Sequence, residues 1–456
     1  MVTYLRDFHR DINYSAIADC NHYYKEILNS GVLPRPKFYS IVSQKLGSKH
    51  DQKTANTLQE YTNKIKLDYE STSRSALLIQ MRTVYRKYPQ DDKLCLLFAR
   101  ILFKKELYSD AQFYLELCCQ ANDENSDGWA LQALLASLAG DHGRALRCSE
   151  RALKLGNHLY RSLPKAWLFT KFLLGRTGKF KIFDSIPLTD ENFVDVHTAH
   201  PVSSIKIHRQ PESDIKDNVI FFACDAKYFW RFANTLLASL TEIKTKFTPH
   251  VHIIGPLGDI PEWIELFELN TNSQVILSNQ DLPLKFKENY SYLASCRFMT
   301  APYFIREFDR GYIIIDTDAV LNSAKKLNEF MENEKNTTLS IDTSGPIWDY
   351  LCAAFSYFPA SSKGQEIADY CAQYLIKMFS NDQIGFWYID QFALFAASLE
   401  YENNIDLLSI QVSADPYYDK EAFFWTLSND KEEDVYLTRC TEIKSKFPSL
   451  FHLPST

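Results

Sequence analysis

Residues 311–321 read GYIIIDTDAVL. Four apolar residues, Tyr312 to Ile315, run straight into Asp316, Thr317 and Asp318. A short apolar run closed by a turn signal fits a buried strand. At a strand end, residues i and i+2 point the same way, so both carboxylates are expected to address one site. Two carboxylates held that close repel each other, and a divalent cation relieves the repulsion. Hard oxygen ligands favour Mg2+ or Mn2+, ions that commonly complete their shells with substrate phosphates.

The surrounding sequence alternates in the same manner. NVIFFACDAKYF carries a continuous apolar run, Val219–Ala223, with Asp225 just past its end. In open α/β sheets the ligand crevice lies outside the carboxyl ends of strands. There Asp225 can accept hydrogen bonds from a base or ribose and Tyr228 can stack on a ring; equally, Asp225 can simply cap the helix expected over Lys227–Leu240. Further strands are expected at His250–Ile254 and Gln274–Leu277, with a helix between the latter and the DTD strand that places Ala294, Phe298, Ala301 and Ile305 on one face. β-branched runs alternating with helical stretches indicate an α/β layer fold.

Upstream the pattern is helix after helix. Cys95, Ala99 and Ala111 are echoed 34 residues later by Trp129, Ala133 and Ala145, and Trp129–Gly140 is echoed by Trp167–Gly178. Between Asn192 and Asn218 two prolines, mixed charge and no sustained period mark a boundary. The expected organisation is a helical domain at 1–190, a linker at 191–217 and an α/β domain at 218–456. Residues 1–75 read as helical but carry no repeat in register.

Composition narrows the partners. The chain has 456 residues, 50 Lys plus Arg against 57 Asp plus Glu, and a formal charge of −7, so no net field attracts nucleic acid. Ten cysteines occur singly or as the adjacent pair Cys118–Cys119, with no CxxC, which signals neither a zinc site nor a redox pair. The amino terminus lacks the apolar core of a signal peptide, and the richest apolar stretch, Trp129–Ala139, is far short of the ~20 residues of a bilayer span. A reduced, cytoplasmic setting is the expectation, with peripheral attachment to a membrane left open.

Two resemblances follow from these residues. The 34-residue pattern, clearest over 91–186, resembles tetratricopeptide repeats, which implies a concave surface for a protein partner or a second copy of the chain. Residues 218–453 resemble the GT-A glycosyltransferases, most of all the retaining family eight, which implies a Rossmann-like mixed sheet. On that resemblance Asp225 and Tyr228 match an Asp and Tyr at the donor nucleotide, and Asp342 matches a contact to the donor sugar. Asp316 and Asp318 match the metal-binding DxD, and His452 the His that completes the metal shell. Arg297, within SCRFMTAPYF, matches an Arg on the helix before the DxD strand; Asp390 and Gln391 match a pair beside the sugar's reactive face. The chain departs from the pattern at Cys352-Ala353-Ala354, where the family has Asn-Ala-Gly, and it lacks the Lys-Pro-Trp after the terminal His.

The resemblance implies Mn2+- or Mg2+-dependent transfer of a sugar from a nucleoside diphosphate, uridine diphosphate by preference, to a hydroxyl of a glycan, a lipid-linked glycan or a protein. From the residues alone, Arg297 can bind phosphate, hold a carboxylate or pair with Glu307 or Asp309. Asp342 and Asp390 can equally be turn and helix caps. The segment Asp415–Trp425, DPYYDKEAFFW, is a candidate acceptor loop. Two other readings stay open: a repeat-based scaffold with an inactive α/β half, and a phosphatase of the haloacid dehalogenase type matched by Asp316, Asp318 and Val320. The phosphatase fold, however, places its aspartates on the first strand of the domain.

Overall fold

The computed structural model describes residues 73–104, 107–138, 141–155, 202–211, 218–243, 247–287, 289–342, 351–380, 388–427 and 433–451. The chain divides into two compact units. His452, residues 1–72 and the third repeat toward residue 186 lie outside the described residues.

The first unit contains α1 (Arg74–Lys87), α2 (Asp92–Lys104), α3 (Tyr108–Ala121), α4 (Ser126–Leu138) and α5 (His142–Lys154). The starts of α2 and α4 are 34 residues apart (92 to 126), as are those of α3 and α5 (108 to 142). Cys95, Ala99, Ala111, Ala133 and Ala145, the small residues of the sequence pattern, are all fully buried. Small side chains at such positions let helix axes approach closely. The hairpins are also cross-tied: Arg144 of α5 donates to Glu116 of α3 (2.9 Å) and to Gln132 of α4 (3.0 Å).

The second unit begins, among the described residues, with a 3-10 turn (Val202–Ser204) and β1 (Lys206–Arg209), both inside the stretch expected as linker. The short alternation of exposed and half-buried residues in β1 suffices for an edge strand, too brief to register as a sequence period. Then come β2 (Asn218–Cys224), α6 (Ala226–Tyr228), a π-helical turn (Phe229–Ala233), α7 (Asn234–Leu240), β3 (Phe247–Ile254), α8 (Ile260–Thr271) and β4 (Ile276–Gln280). They are followed by α9 (Tyr290–Phe308), β5 (Tyr312–Ile315), β6 (Ala319–Leu321), α10 (Ala324–Asn333), β7 (Thr337–Ile341), β8 (Leu351–Phe358) and α11 (Ser362–Ser380). The last elements are α12 (Ile389–Glu400), β9 (Ile405–Ser409), α13 (Ile410–Ser413), β10 (Ala414–Asp415), β11 (Phe424–Thr426), α14 (Glu433–Lys446) and α15 (Pro448–Phe451).

Eight strands form one mixed sheet in the order β1-β4-β3-β2-β5-β8-β7-β9, and β10-β11-β6 form a second, small sheet. Strands β4, β3, β2 and β5 are mutually parallel, while β8 runs antiparallel to both β5 and β7. The chain moves outward from β2 through β3 to β4, then returns to the other side of β2 as β5. The strand order therefore reverses between β2 and β5, the position at which a crevice opens beyond the strand ends. Gly311 precedes β5 because a Cβ there would lie 2.5 Å from Asn218 Oδ1 and 2.8 Å from the Tyr357 hydroxyl.

The two faces of the large sheet differ in chemistry. Ile220, Phe222, Val251, Ile253, Leu277, Ile313 and Ile315 belong to one continuous apolar core. The opposite face, under α9, carries a buried polar chain. His250 Nδ1 meets the Tyr312 hydroxyl (3.2 Å), His250 Nε2 and His252 Nδ1 both meet Ser278 Oγ (2.7 Å each), and His252 Nε2 meets Gln280 Oε1 (3.0 Å). Gln280 Oε1 only accepts, so His252 carries its proton on Nε2, and Ser278 must donate to His252 Nδ1. Ser278 then accepts from His250 Nε2, and Tyr312 donates to His250 Nδ1. Both rings are thereby fixed as neutral Nε2–H tautomers, and the chain ends with Gln280 Nε2 donating to Cys296 Sγ on α9.

Burial pushes both histidines below their ordinary range, His252 to about 4 against the weaker opposing effect of Gln280. The unfolded chain takes up a proton near pH 6.5 that the folded chain refuses until about pH 4, so stability falls as pH drops through that window. His252 alone contributes a loss of about 3 kcal/mol. Urea unfolding at pH 7 and pH 4.5 is expected to show this fall, and His252→Asn to flatten it; an unchanged slope in the variant would show that the ring does not titrate as described.

Candidate active site

A cavity of about 210 Å3 opens at the carboxyl ends of β2 and β5. Ala223, Cys224, Asp225 and Tyr228 line it from the β2 side, and Asp316, Thr317 and Asp318 from the β5 side. Ala353 and Ala354 of β8, Asp390 and Gln391 of α12, and Tyr388 complete that wall. Tyr290, Leu293, Ala294 and Arg297 line the cavity from α9 at helical spacing i, i+3, i+4, i+7.

The aspartate pair follows the end of β5 directly, but strand alternation does not set its direction, because neither acid is part of a strand. β5 stops at Ile315, and Asp316–Asp318 form a turn closed by the Ala319 N–H donating to the Asp316 carbonyl (3.1 Å). The chain then enters β6, a strand of the other sheet. The two carboxylates share the cavity because the turn's backbone is held from four directions. Besides its own closing bond, the Asp316 N–H donates to the Ala354 carbonyl (3.1 Å), Thr317 Oγ1 donates to the Ala223 carbonyl (3.1 Å) and the Tyr436 hydroxyl donates to the Asp318 carbonyl (2.6 Å).

Asp225 caps α6, accepting the Tyr228 N–H at 2.7 Å, and lines the cavity at the same time. Tyr228 is 39% exposed, and its ring packs against Phe232 at 5.1 Å.

Arg297 is buried at the centre of the acid cluster. Its Nη1 pairs with Asp316 and donates to the Ile315 carbonyl (3.3 Å), while its Nη2 pairs with Asp390 (3.3 Å). The pairings with Glu307 or Asp309 considered from sequence are not the ones formed. Burial works against the guanidinium's charge, but Asp316 and Asp390 outweigh it and hold the group above its ordinary pKa. Asp390 is held above the usual carboxylate range by burial, with Arg297 pulling it back, and its Oδ1 accepts the Gln391 N–H (2.9 Å). Asp318 is pushed up to about 7, by burial first and then by the charge of Asp316. The cavity thus carries more negative charge than its one buried cation neutralises.

Of the residues singled out from sequence, Asp225, Tyr228, Arg297, Asp316, Asp318, Asp390 and Gln391 meet at this cavity. Asp342 follows β7, two strands from β5, or roughly 10 Å across the sheet, and is not among the lining residues. Among the described residues no cluster of three or more His, Cys, Asp and Glu side chains is placed to hold a metal ion. The sequence reading missed Tyr290 and Leu293; their spacing from Arg297 along one helix face was the available signal. Of the candidate acceptor loop, Asp415 is buried, with its Oδ2 accepting the Asp419 N–H (2.6 Å). No helix among the described residues is long and apolar enough to cross a membrane.

Neither a protein family model nor a curated protein matches the chain. Among solved structures it is similar to the glycosyltransferase GlyE of Streptococcus pneumoniae TIGR4, at 14% identity and a TM-score of 0.36, over 53% of this chain and 66% of that one. It is also similar to a glycosyltransferase involved in the glycosylation of the major capsid of PBCV-1, at 9% identity and a TM-score of 0.32, over 50% of this chain and 99% of that one. The chain thus spans just under two thirds of GlyE, and likenesses this slight carry no inference about its activity.

Replacing Arg297 leaves Asp390 buried without its cation, so Arg297→Met is expected to lower the unfolding free energy by about 3 kcal/mol. Asp318→Asn relieves repulsion instead and is expected to be neutral or stabilising at pH 7.5 in EDTA. Chemical denaturation of the two variants checks both, and a destabilised Asp318→Asn would mark that carboxylate as a structural group.

Proposed function

We propose that the protein is a metal-dependent glycosyltransferase that moves a hexose, with retention, from a nucleoside diphosphate sugar to a hydroxyl acceptor. The observation that carries this reading is convergence: Asp225 and Tyr228 after β2, and Asp316 and Asp318 after β5, meet at the strand-order reversal with Arg297, Asp390 and Gln391.

Departure of a nucleoside diphosphate builds charge on the leaving oxygen, and stabilising that charge is usually the largest catalytic contribution. The all-oxygen pair Asp316–Asp318 fits Mg2+ or Mn2+, and two protein ligands suit a cation that takes the rest of its shell from diphosphate and water. When bound, such an ion supplies Lewis-acid neutralisation of the diphosphate. Asp225 would take the ribose or base and Tyr228 would stack on the base. Asp390, oriented by Arg297 and by the Gln391 N–H, would accept hydrogen bonds from sugar hydroxyls, with Gln391 beside it at the reacting carbon. The surplus negative charge of the cavity supports capture of a diphosphate neutralised by its metal ion rather than of a free diphosphate.

The phosphatase reading fits less well. Its nucleophilic aspartate belongs on the first strand of the domain, whereas β5 follows four strands of the same sheet. Asp316 is also engaged by Arg297. The acceptor, whether glycan, lipid-linked glycan or protein, and a partner-binding role for the tetratricopeptide-like helices belong to this proposal as its outer parts.

Purified protein incubated with Mn2+ and a panel of nucleoside diphosphate sugars is expected to release nucleoside diphosphate, and EDTA to abolish release. Asp316→Ala with Asp318→Ala is expected to lower the rate roughly 100- to 1,000-fold. Absence of turnover with every donor, together with no Mn2+-dependent thermal shift on adding UDP, would leave the scaffold reading in its place.

A further inference from the structure

Arg297 cannot serve a bound diphosphate freely, because both of its terminal nitrogens are held by carboxylates. A cavity lined by Asp225, Asp316, Asp318 and Asp390 then offers a diphosphate no unengaged cation of its own. The rim supplies one. Immediately after Tyr228 the helix widens into the π-helical turn Phe229–Ala233. Single π turns re-aim side chains and occur frequently at functional sites. On this turn Arg231 is exposed, and its guanidinium lies over the Phe232 ring at 4.8 Å. The Phe232 ring is in turn 5.1 Å from that of Tyr228, which lines the cavity. Arg231 thus stands one aromatic ring away from the cavity wall, and no carboxylate among the described residues pairs with it.

We propose that Arg231 is the residue that binds the diphosphate of the donor at the cavity rim, leaving Arg297 to position Asp316 and Asp390. This inference rests on the glycosyltransferase reading and adds to it a specific phosphate contact. Two further observations agree with it. The charge of Arg231 reaches Tyr228 on the cavity wall. The stack on Phe232 also restrains a long side chain that would otherwise lose more freedom on binding, and a planar guanidinium suits two-pronged contact with phosphate oxygens. Lys227, exposed on the preceding helical residues, shows neither the stack nor the electrostatic reach and serves as a control.

The test uses the whole chain and probes that do not depend on the identity of the base or sugar. Binding of inorganic pyrophosphate and of UDP, each with Mn2+, is measured by calorimetry for the native protein, Arg231→Ala, Arg231→Lys and Lys227→Ala. Loss of one charged hydrogen-bond donor at an exposed rim is expected to weaken both probes roughly tenfold in Arg231→Ala, with a shallower salt dependence. Arg231→Lys is expected to fall between Arg231→Ala and native, and Lys227→Ala to match native. Thermal stability should be unchanged in all three variants, since the altered side chains are exposed. Native binding with Arg231→Ala within twofold of it would overturn this inference alone. Failure of the native protein to bind either probe would overturn the glycosyltransferase reading along with it.

Discussion

One guanidinium holds the centre of this molecule together. Arg297 grips Asp316, on the turn after β5, and Asp390, on the first turn of α12, which lie 19 and 93 residues away along the chain. A buried charge is tolerated only when paired and hydrogen-bonded, so the three elements α9, β5 and α12 must arrive in a fixed relation. The cavity is the space left between them and the end of β2. Its acidity follows from the same arithmetic of charges, because one cation is shared among four carboxylates.

Below the site, the large sheet gives that arrangement a rigid base with two unlike faces. On one side the alternation of β2, β3, β4 and β5 delivers an unbroken apolar layer. On the other, the even-numbered positions of β3 and β4 deliver His250, His252, Ser278 and Gln280 to a single hydrogen-bonded file under α9. Every donor in that file has one acceptor, which is the condition under which a buried polar network strengthens a core instead of weakening it. Its last bond reaches Cys296, the residue before Arg297. The helix that carries the central guanidinium is therefore seated by direction-specific bonds as well as by packing.

Much of this was legible in the amino-acid order because the decisive signals are local. Apolar runs ending in Asp225 and in Asp316 identify buried strands with acids at their tips, and both lie at the cavity. The 34-residue spacing of small residues coincides with the spacing of the helix starts in the first unit. What was not legible depends on distant partners or on very short segments. The partners of Arg297 are set by sheet order, which no local window contains. β6, β10 and β11 are two or three residues long, so they carry no period, and the small sheet went unforeseen. Without it the DTD triplet looked like a strand end, whereas it is the crossing from one sheet to another. Asp342 fits its motif by order, yet strand order sets it two positions aside.

That crossing has a mechanical meaning. Asp316 still belongs to the frame of the eight-stranded sheet, through the Ala354 carbonyl, while Asp318 leads directly into the three-stranded one. The gap between the two acids thus lies at the seam where the chain passes from one sheet to the other. Anything that bridges the pair would join the two sheets at that seam, where β6 carries the chain on into its pairing with β11.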